Sequence, residues 1–344
     1  MTGAVYTDMD GTGLDTALVD AARVAGIDAA AVEGLRQLAG GASKQSWAFD
    51  LIIESGERLP LVLRLDPAAS RFDDIGMVDI AGEAQVLRVA RGGGVLAPEV
   101  VFEMLPESGQ GRGYAMARVA GESVGARILK DPALEAARAG LAVQCGEQLA
   151  RIHALSPADL PGLQRIAPRE ALEALDERYR ASEQVRPVFE YALAWLDDHM
   201  PREAPAVVLH GDFRNGNLMV GEDGIRAVLD WELTHIGDPA SDLAWLCVTS
   251  WRFQRPEFVV GGFGTREQLM QGYRAAGGAE IDPERIAAWE VFQTLNWGVM
   301  CAGVGARFAA GVRTIEGALI ARRASETEFD LMRLLAPQGM CDAG

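Results

Sequence analysis

Short apolar runs crowd the first third of the chain and longer, helically spaced ones fill the rest. Val32 to Leu38 predicts an opening strand. Gly40, Gly41, Ala42, Ser43, Lys44, Gln45 and Ser46 then form a glycine and serine turn before WAFDLII. The turn ESGERLP joins that run to LVLRL, so the order is strand, glycine loop, strand, hairpin, strand. Val78 to Arg91 has helical spacing, and Glu99 to Glu103 and Tyr114 to Val119 predict two further strands. Beyond them, Leu134, Leu141, Leu149 and Ile152 mark the buried face of a helix from Pro132 to Leu155, followed by a helical stretch from Glu170 to His199. Glu267 to Leu335 is helical throughout. The pattern is that of an α+β chain whose strands come first, with Thr16 to Ala25 a short leading helix behind a tail of some fifteen residues.

One region breaks the helical second half. After VVLH, the runs Leu218 to Val220 and Ile225 to Leu229 flank Gly221, Glu222, Asp223 and Gly224, which predicts a β-hairpin with a four-residue turn. Because the arms run antiparallel, Asn217 and Asp230 return to the same end, and Asp212 lies one tight loop away. Their chemistry fits phosphoryl transfer. Magnesium prefers oxygen ligands, which Asp230 offers as a carboxylate and Asn217 as an amide carbonyl, the remaining positions going to phosphates and water. Asp212 is then the base that orients an acceptor hydroxyl and takes its proton late in a loose transition state. The interval D-x-x-x-x-N from Asp212 to Asn217 is that of protein-kinase catalytic loops. Arg64, inside a strand that alternates little, is a buried cation in need of a partner, and Glu83 in the following helix is the candidate.

HGDFRNGNL, AVLDWE and IGDPASDLAWL together resemble the aminoglycoside phosphotransferase family, and within it the phosphotransferase domains found alone in bacteria or fused to acyl-CoA dehydrogenases. The resemblance implies a protein-kinase-like two-lobed fold: an antiparallel sheet plus one helix over residues 1–115, a hinge over 116–122, and a mostly helical lobe carrying the catalytic hairpin over 123–344. It implies Asp212 as catalytic base, Asn217 and Asp230 as magnesium ligands, and Arg64 with Glu83 positioning the phosphates of ATP or GTP. Gly40, Gly41 and Ser43 correspond to the nucleotide-covering loop, and Met116, Ala117, Arg118 and Val119 to the hinge backbone that meets the nucleotide base. An aspartate of the helix after Asp238-Pro239, with Asp238 as its N-cap, accepts hydrogen bonds from the catalytic-loop backbone. Two positions depart from the pattern: Lys44 stands where an asparagine is usual, and Asn215 where an apolar residue is. The acceptor implied is a small-molecule hydroxyl, either an aminoglycoside or a metabolite such as a hydroxyacyl-CoA. A catalytically silent nucleotide-binding or scaffold protein is the alternative.

Composition narrows the partners. A net charge of −17 and a pI near 4.7 argue against nucleic acid or anionic membrane, both of which call for clustered Lys and Arg. Cys145, Cys247, Cys301 and Cys341 lack C-x-x-C spacing, and the acidic N-terminus lacks a signal-peptide pattern, so a reducing cytoplasm is expected. The uncharged stretch from Val291 to Ala306 falls short of the roughly 18 apolar residues of a membrane span and predicts a buried helix.

Overall fold

A computed structural model describes residues 13–38, 44–66, 77–106 and 109–336. Gly40, Gly41 and Ser43 lie outside them. Helix α1 (Leu14–Val24) leads into strands β1 (Ala29–Gln37), β2 (Gln45–Ile53) and β3 (Arg58–Asp66), then helix α2 (Ile80–Gly92) and strands β4 (Val100–Met104) and β5 (Arg112–Ala117). The strands form one antiparallel sheet in the order β1-β2-β3-β5-β4. Side chains alternate across its faces. Phe49, Leu51, Leu61, Leu63, Phe102 and Ala115 pack with Leu14 and Leu18 of α1, while Tyr114 joins Val86 and Leu87 of α2 in the second core. The sheet is therefore covered on both faces, by α1 as well as by the single helix expected. Strand β5 stops at Ala117, short of Val119, because Pro60 accepts from the Arg118 amide but has no N–H to return.

The remainder is helical around small β elements: α3 (Gly125–Lys130), α4 (Glu135–His153), α5 (Pro168–Ala181), α6 (Pro187–His199), β6 (Val207–Leu209), β7 (Leu218–Gly221), β8 (Gly224–Val228), β9 (His235–Gly237), α7 (Pro239–Trp245), α8 (Arg266–Ala275), α9 (Pro283–Ala309), α10 (Ile315–Ala321) and α11 (Arg323–Leu335). The helical stretch ending at His199 is two helices, broken where Glu183 takes a left-handed φ of 55° and Pro187 starts a new first turn. Val291 to Ala306 lies within α9, whose inner face is buried, and no helix among the described residues is long and apolar enough to cross a membrane. Helices α4 and α8 touch backbone to backbone: a Cβ on Gly146 would strike the Leu269 carbonyl and one on Gly272 the Val143 carbonyl. That close approach brings Tyr273 of α8 to His153 at the end of α4.

The hairpin turn is tighter than the sequence suggests. Gly221 and Gly224 pair, leaving only Glu222 and Asp223 in the turn, and Asp223 is tied to Arg226 at 2.8 Å.

Candidate active site

The loop after β6 is shaped from behind. Gly211 has φ 81°, and a Cβ there would run into the Leu233 carbonyl oxygen, so the bend in H-G-D requires glycine. Asp238 caps α7 through the Ala240 amide, with Pro239 at the first helical position. One turn further in, the buried Asp242 accepts from the His210 amide at 2.8 Å and the Gly211 amide at 2.9 Å. His153 lies 3.3 Å from the same carboxylate and hydrogen-bonds Tyr273 at 2.9 Å. Burial alone raises an aspartate's pKa, but His153 and His210 hold Asp242 below the usual carboxylate range.

His210 links this loop to the hairpin. Its Nδ1 accepts from the Asp212 amide at 3.2 Å and its Nε2 lies 3.0 Å from the Leu229 carbonyl, a pairing that defines a neutral tautomer with the proton on Nε2. Complete burial pushes its pKa below the ordinary imidazole value, against the pull of Asp242 and Asp212. The ring packs on Trp231, whose own indole N–H is given to Val228.

The three hairpin-end residues come together as the spacing predicts. Asn217 donates from Nδ2 to Asp212 Oδ2 at 2.7 Å and to the Asp212 carbonyl at 3.0 Å, while its backbone carbonyl accepts from Leu229, next to Asp230. With its nitrogen so engaged, Asn217 keeps Oδ1 as a free neutral acceptor. Asp230 adopts a left-handed φ of 63°, a conformation that costs a non-glycine residue free energy and tends to occur where function demands it. An amide oxygen and a carboxylate are the donors a hard cation takes, so these residues fit magnesium held largely by phosphate and water.

Above them lies an ion cluster. Arg64 Nη2 reaches Asp230 Oδ1 at 2.6 Å and Glu232 Oε2 at 2.9 Å. Arg64 Nε sits 2.9 Å from Glu83 Oε1, although its N–H is not directed at that oxygen. Glu83 is buried on α2 beside the Tyr114 hydroxyl, and its other oxygen accepts from Lys44 Nζ at 3.0 Å. Burial would weaken the Arg64 cation, but Glu83, Asp230 and Glu232 hold it charged. The expected Arg64 and Glu83 neighbours are thus adjacent, and Lys44 joins them. Of the four residues expected at the hinge, Ala117 and Arg118 already donate their amides to Glu99 and Pro60, and the Arg118 side chain turns to Asp50 at 2.6 Å. Met116 pairs with Val62 and Val100 within the sheet, and Val119 follows the strand end.

Sequence reasoning missed what surrounds Asp212. Trp245 donates to Asp212 Oδ1 at 2.6 Å, and Arg214 donates to the same oxygen at 2.9 Å. The Arg214 guanidinium lies 4.6 Å from the centre of the Trp251 ring, and Trp251 packs edge-on against Trp245 and tilted against Trp297. No spacing rule points to the tryptophan contacts, because they join the loop after β6 to α7, the turn after it and α9. Asn215, the polar residue in an apolar slot, is buried and ties the loop to the Gly261 carbonyl at 2.8 Å.

A five-stranded antiparallel sheet set over a helical body, with a looped aspartate and a β-hairpin at its base, defines a protein-kinase-like fold. The chain belongs to the phosphotransferase enzyme family APH, whose model matches residues 34–283. Among solved structures it is similar to a Ralstonia eutropha JMP134 protein provisionally described as an aminoglycoside phosphotransferase, at 22% identity and a TM-score of 0.72 over 93% of this chain and 97% of that one. It is also similar to spectinomycin phosphotransferase APH(9)-Ia in complex with ADP and spectinomycin, at 14% identity and a TM-score of 0.60 over 93% and 99% of the two chains. At these identities the likeness is one of fold. Among curated proteins, human acyl-CoA dehydrogenase family member 11 is 29% identical over 222 residues, covering 58% of this chain and 28% of that protein. Mouse acyl-CoA dehydrogenase family member 10 is 33% identical over 132 residues, 35% of this chain and 12% of the relative. The match spans under a third of either relative's length.

Proposed function

We propose that the protein transfers the γ-phosphoryl group of ATP or GTP to a hydroxyl of a small molecule. The observation that carries this reading is the lacing of Asp212, Asn217 and Asp230 through the Asn217 amide and the Leu229 backbone, with Arg64 laid across Asp230. Solved neighbours bound to ADP, AMP-PNP and GDP support a nucleotide donor. In this reading the bond between the γ-phosphorus and its bridging oxygen breaks, a new bond forms to the acceptor oxygen, the acceptor's proton passes to Asp212, and the nucleoside diphosphate leaves. Asn217 Oδ1 and the Asp230 carboxylate would hold magnesium, which supplies neutralisation of phosphate charge. Arg64, fixed beside Glu83, holds the donor phosphates. Gly40, Gly41 and Ser43 cover them, and the backbone of residues 116–119 receives the base between residues 1–115 and 123–344.

A non-cationic acceptor is favoured by how the acidic groups are used. Asp212 is held by Trp245, Arg214 and Asn217, and Asp230 and Glu232 are held by Arg64, so these three carboxylates are already matched by donors on the protein. A polycationic aminoglycoside calls for carboxylates still seeking a cation, whereas a hydroxyacyl thioester or similar metabolite does not. The test is a coupled nucleoside-diphosphate release assay on hydroxyacyl thioesters and on kanamycin-type compounds. Phosphorylation of the first set above the second is expected, and efficient turnover of kanamycin alone reverses the acceptor assignment. Nucleotide binding with no turnover across a broad hydroxyl panel favours a silent binding protein.

A further inference from the structure

We propose that Lys44 is a second phosphate-binding cation of the nucleotide site, sharing the α2 carboxylate Glu83 with Arg64; this rests on the nucleotide-dependent function proposed above. Lys44 stands at the entry to β2, and in the sequence it directly follows Gly40, Gly41 and Ser43. Its side chain is only 4% exposed. An ammonium group taken this far from water costs free energy that a single ion pair seldom recovers, so its surroundings should be built for it.

They are. Glu83 Oε2 accepts from Lys44 Nζ at 3.0 Å, and Glu232 Oε2 lies 3.4 Å from the same nitrogen. The other Glu83 oxygen has Arg64 Nε nearby without a directed hydrogen bond. Lys44 therefore gives Glu83 a directed charge-assisted bond that Arg64 does not, while the outer nitrogen of Arg64 goes to Asp230 and Glu232. The two cations divide the work: Lys44 holds the helix carboxylate and Arg64 faces the hairpin carboxylates.

Two features point from this arrangement to phosphate. The first is donor count. An ammonium has three N–H donors, and among the described residues Lys44 has two carboxylate partners, which leaves one donor for a further oxygen. The second is charge. Lys44 and Arg64 are set against the carboxylates of Glu83, Asp230 and Glu232. A divalent cation on Asp230 makes that cluster net positive with both residues present and leaves it neutral with Arg64 alone. A polyphosphate needs the former.

The test is calorimetric titration of Mg-ATP and of adenosine into wild type, Lys44→Met, Lys44→Gln and Lys44→Arg, each first shown to be folded by its thermal transition. Lys44→Met and Lys44→Gln are expected to weaken Mg-ATP by about tenfold or more, the size of one charge-assisted hydrogen bond, with adenosine changed by less than about twofold. Lys44→Arg should keep most of the affinity. Unchanged Mg-ATP binding in the neutral variants overturns the proposal while leaving the nucleotide site standing. Equal loss for Mg-ATP and adenosine also overturns it, because Lys44 then only shapes the fold. Should Lys44→Met not fold, Lys44→Gln, whose amide can still bond Glu83, decides the matter. A wild type that binds no Mg-nucleotide removes the proposed function itself, and the role of Lys44 with it.

Discussion

Trp245 donates its indole N–H to Asp212 Oδ1 at 2.6 Å, from the same short helix whose Asp242 holds the backbone of His210 and Gly211. Residues three apart lie on one helical face, so α7 grips the loop after β6 twice, once by the loop's backbone and once by its carboxylate. With Arg214 and Asn217 completing the set, the Asp212 carboxylate is fixed in orientation.

Trp245→Phe keeps the ring and removes one donor from that carboxylate. A hydrogen bond to a charged group contributes about 1.5–3 kcal/mol, so turnover should fall by roughly ten- to a hundredfold with Mg-nucleotide affinity unchanged. Steady-state kinetics with calorimetric binding check this. Full turnover in the variant shows that the indole is packing alone.

Asp230 and Asp212 should separate in their effects. Asp230→Asn is expected to lower magnesium-dependent nucleotide affinity together with turnover. Asp212→Ala should bind Mg-ATP normally and lose about 10² or more in turnover, the range of a positioned general base. Normal Mg-ATP binding by Asp230→Asn removes it from the metal site.

Asp242 matters for stability before it matters for rate. Its replacement by Ala leaves the His210 and Gly211 amides without their acceptor in a buried place, and should cost about 2–4 kcal/mol in urea unfolding. Loss of less than about 0.5 kcal/mol would mean that the loop finds other partners.

His210 predicts how stability depends on pH. Its folded pKa is depressed by burial, so between that value and the ordinary imidazole value near 6.5 the unfolded chain binds more protons than the folded one. The stability held by neutral His210 is therefore complete above about 6.5 and falls as the pH drops through the window beneath it. Asp242, also depressed, adds a further loss only under more acidic conditions, where carboxylates titrate. Urea midpoints measured from pH 7.5 to 5 should decline, and His210→Gln should flatten the slope. An equal slope in the variant would assign the decline elsewhere.

Much of this was legible in the chain. The hairpin, the return of Asn217 and Asp230 to one end and the capping of α7 follow from apolar runs, turn glycines and a Pro after an Asp, which are local signals. The Arg64 and Glu83 neighbours were legible because a buried cation needs a carboxylate. The left-handed backbone of Asp230, the Lys44 bond to Glu83 and the gathering of Trp245 and Arg214 on Asp212 were not. The Lys44 and Trp245 bonds depend on how distant elements approach, and the Asp230 backbone and the Arg214 bond on a local loop shape, none of which periodicity or motif spacing encodes. The hairpin turn was overestimated because Gly221 and Gly224 read as loop residues, though both pair across the ladder.

The β7–β8 hairpin is also stitched to its surroundings on every side. Val220 exchanges both backbone bonds with Glu122, Val228 donates to Leu96 at 2.6 Å, Ile225 donates to the Gln144 side chain, and Arg226 reaches the Ala120 carbonyl. Leu96 belongs to the connection between α2 and β4, Glu122 to the crossing after β5, and Gln144 to α4. The hairpin is therefore a rivet that fastens the α2–β4 connection, the crossing after β5 and α4 to one another. Asp230, just past its open end, is thereby carried on a base tied to both parts of the chain, and through Arg64 it joins that base to the sheet.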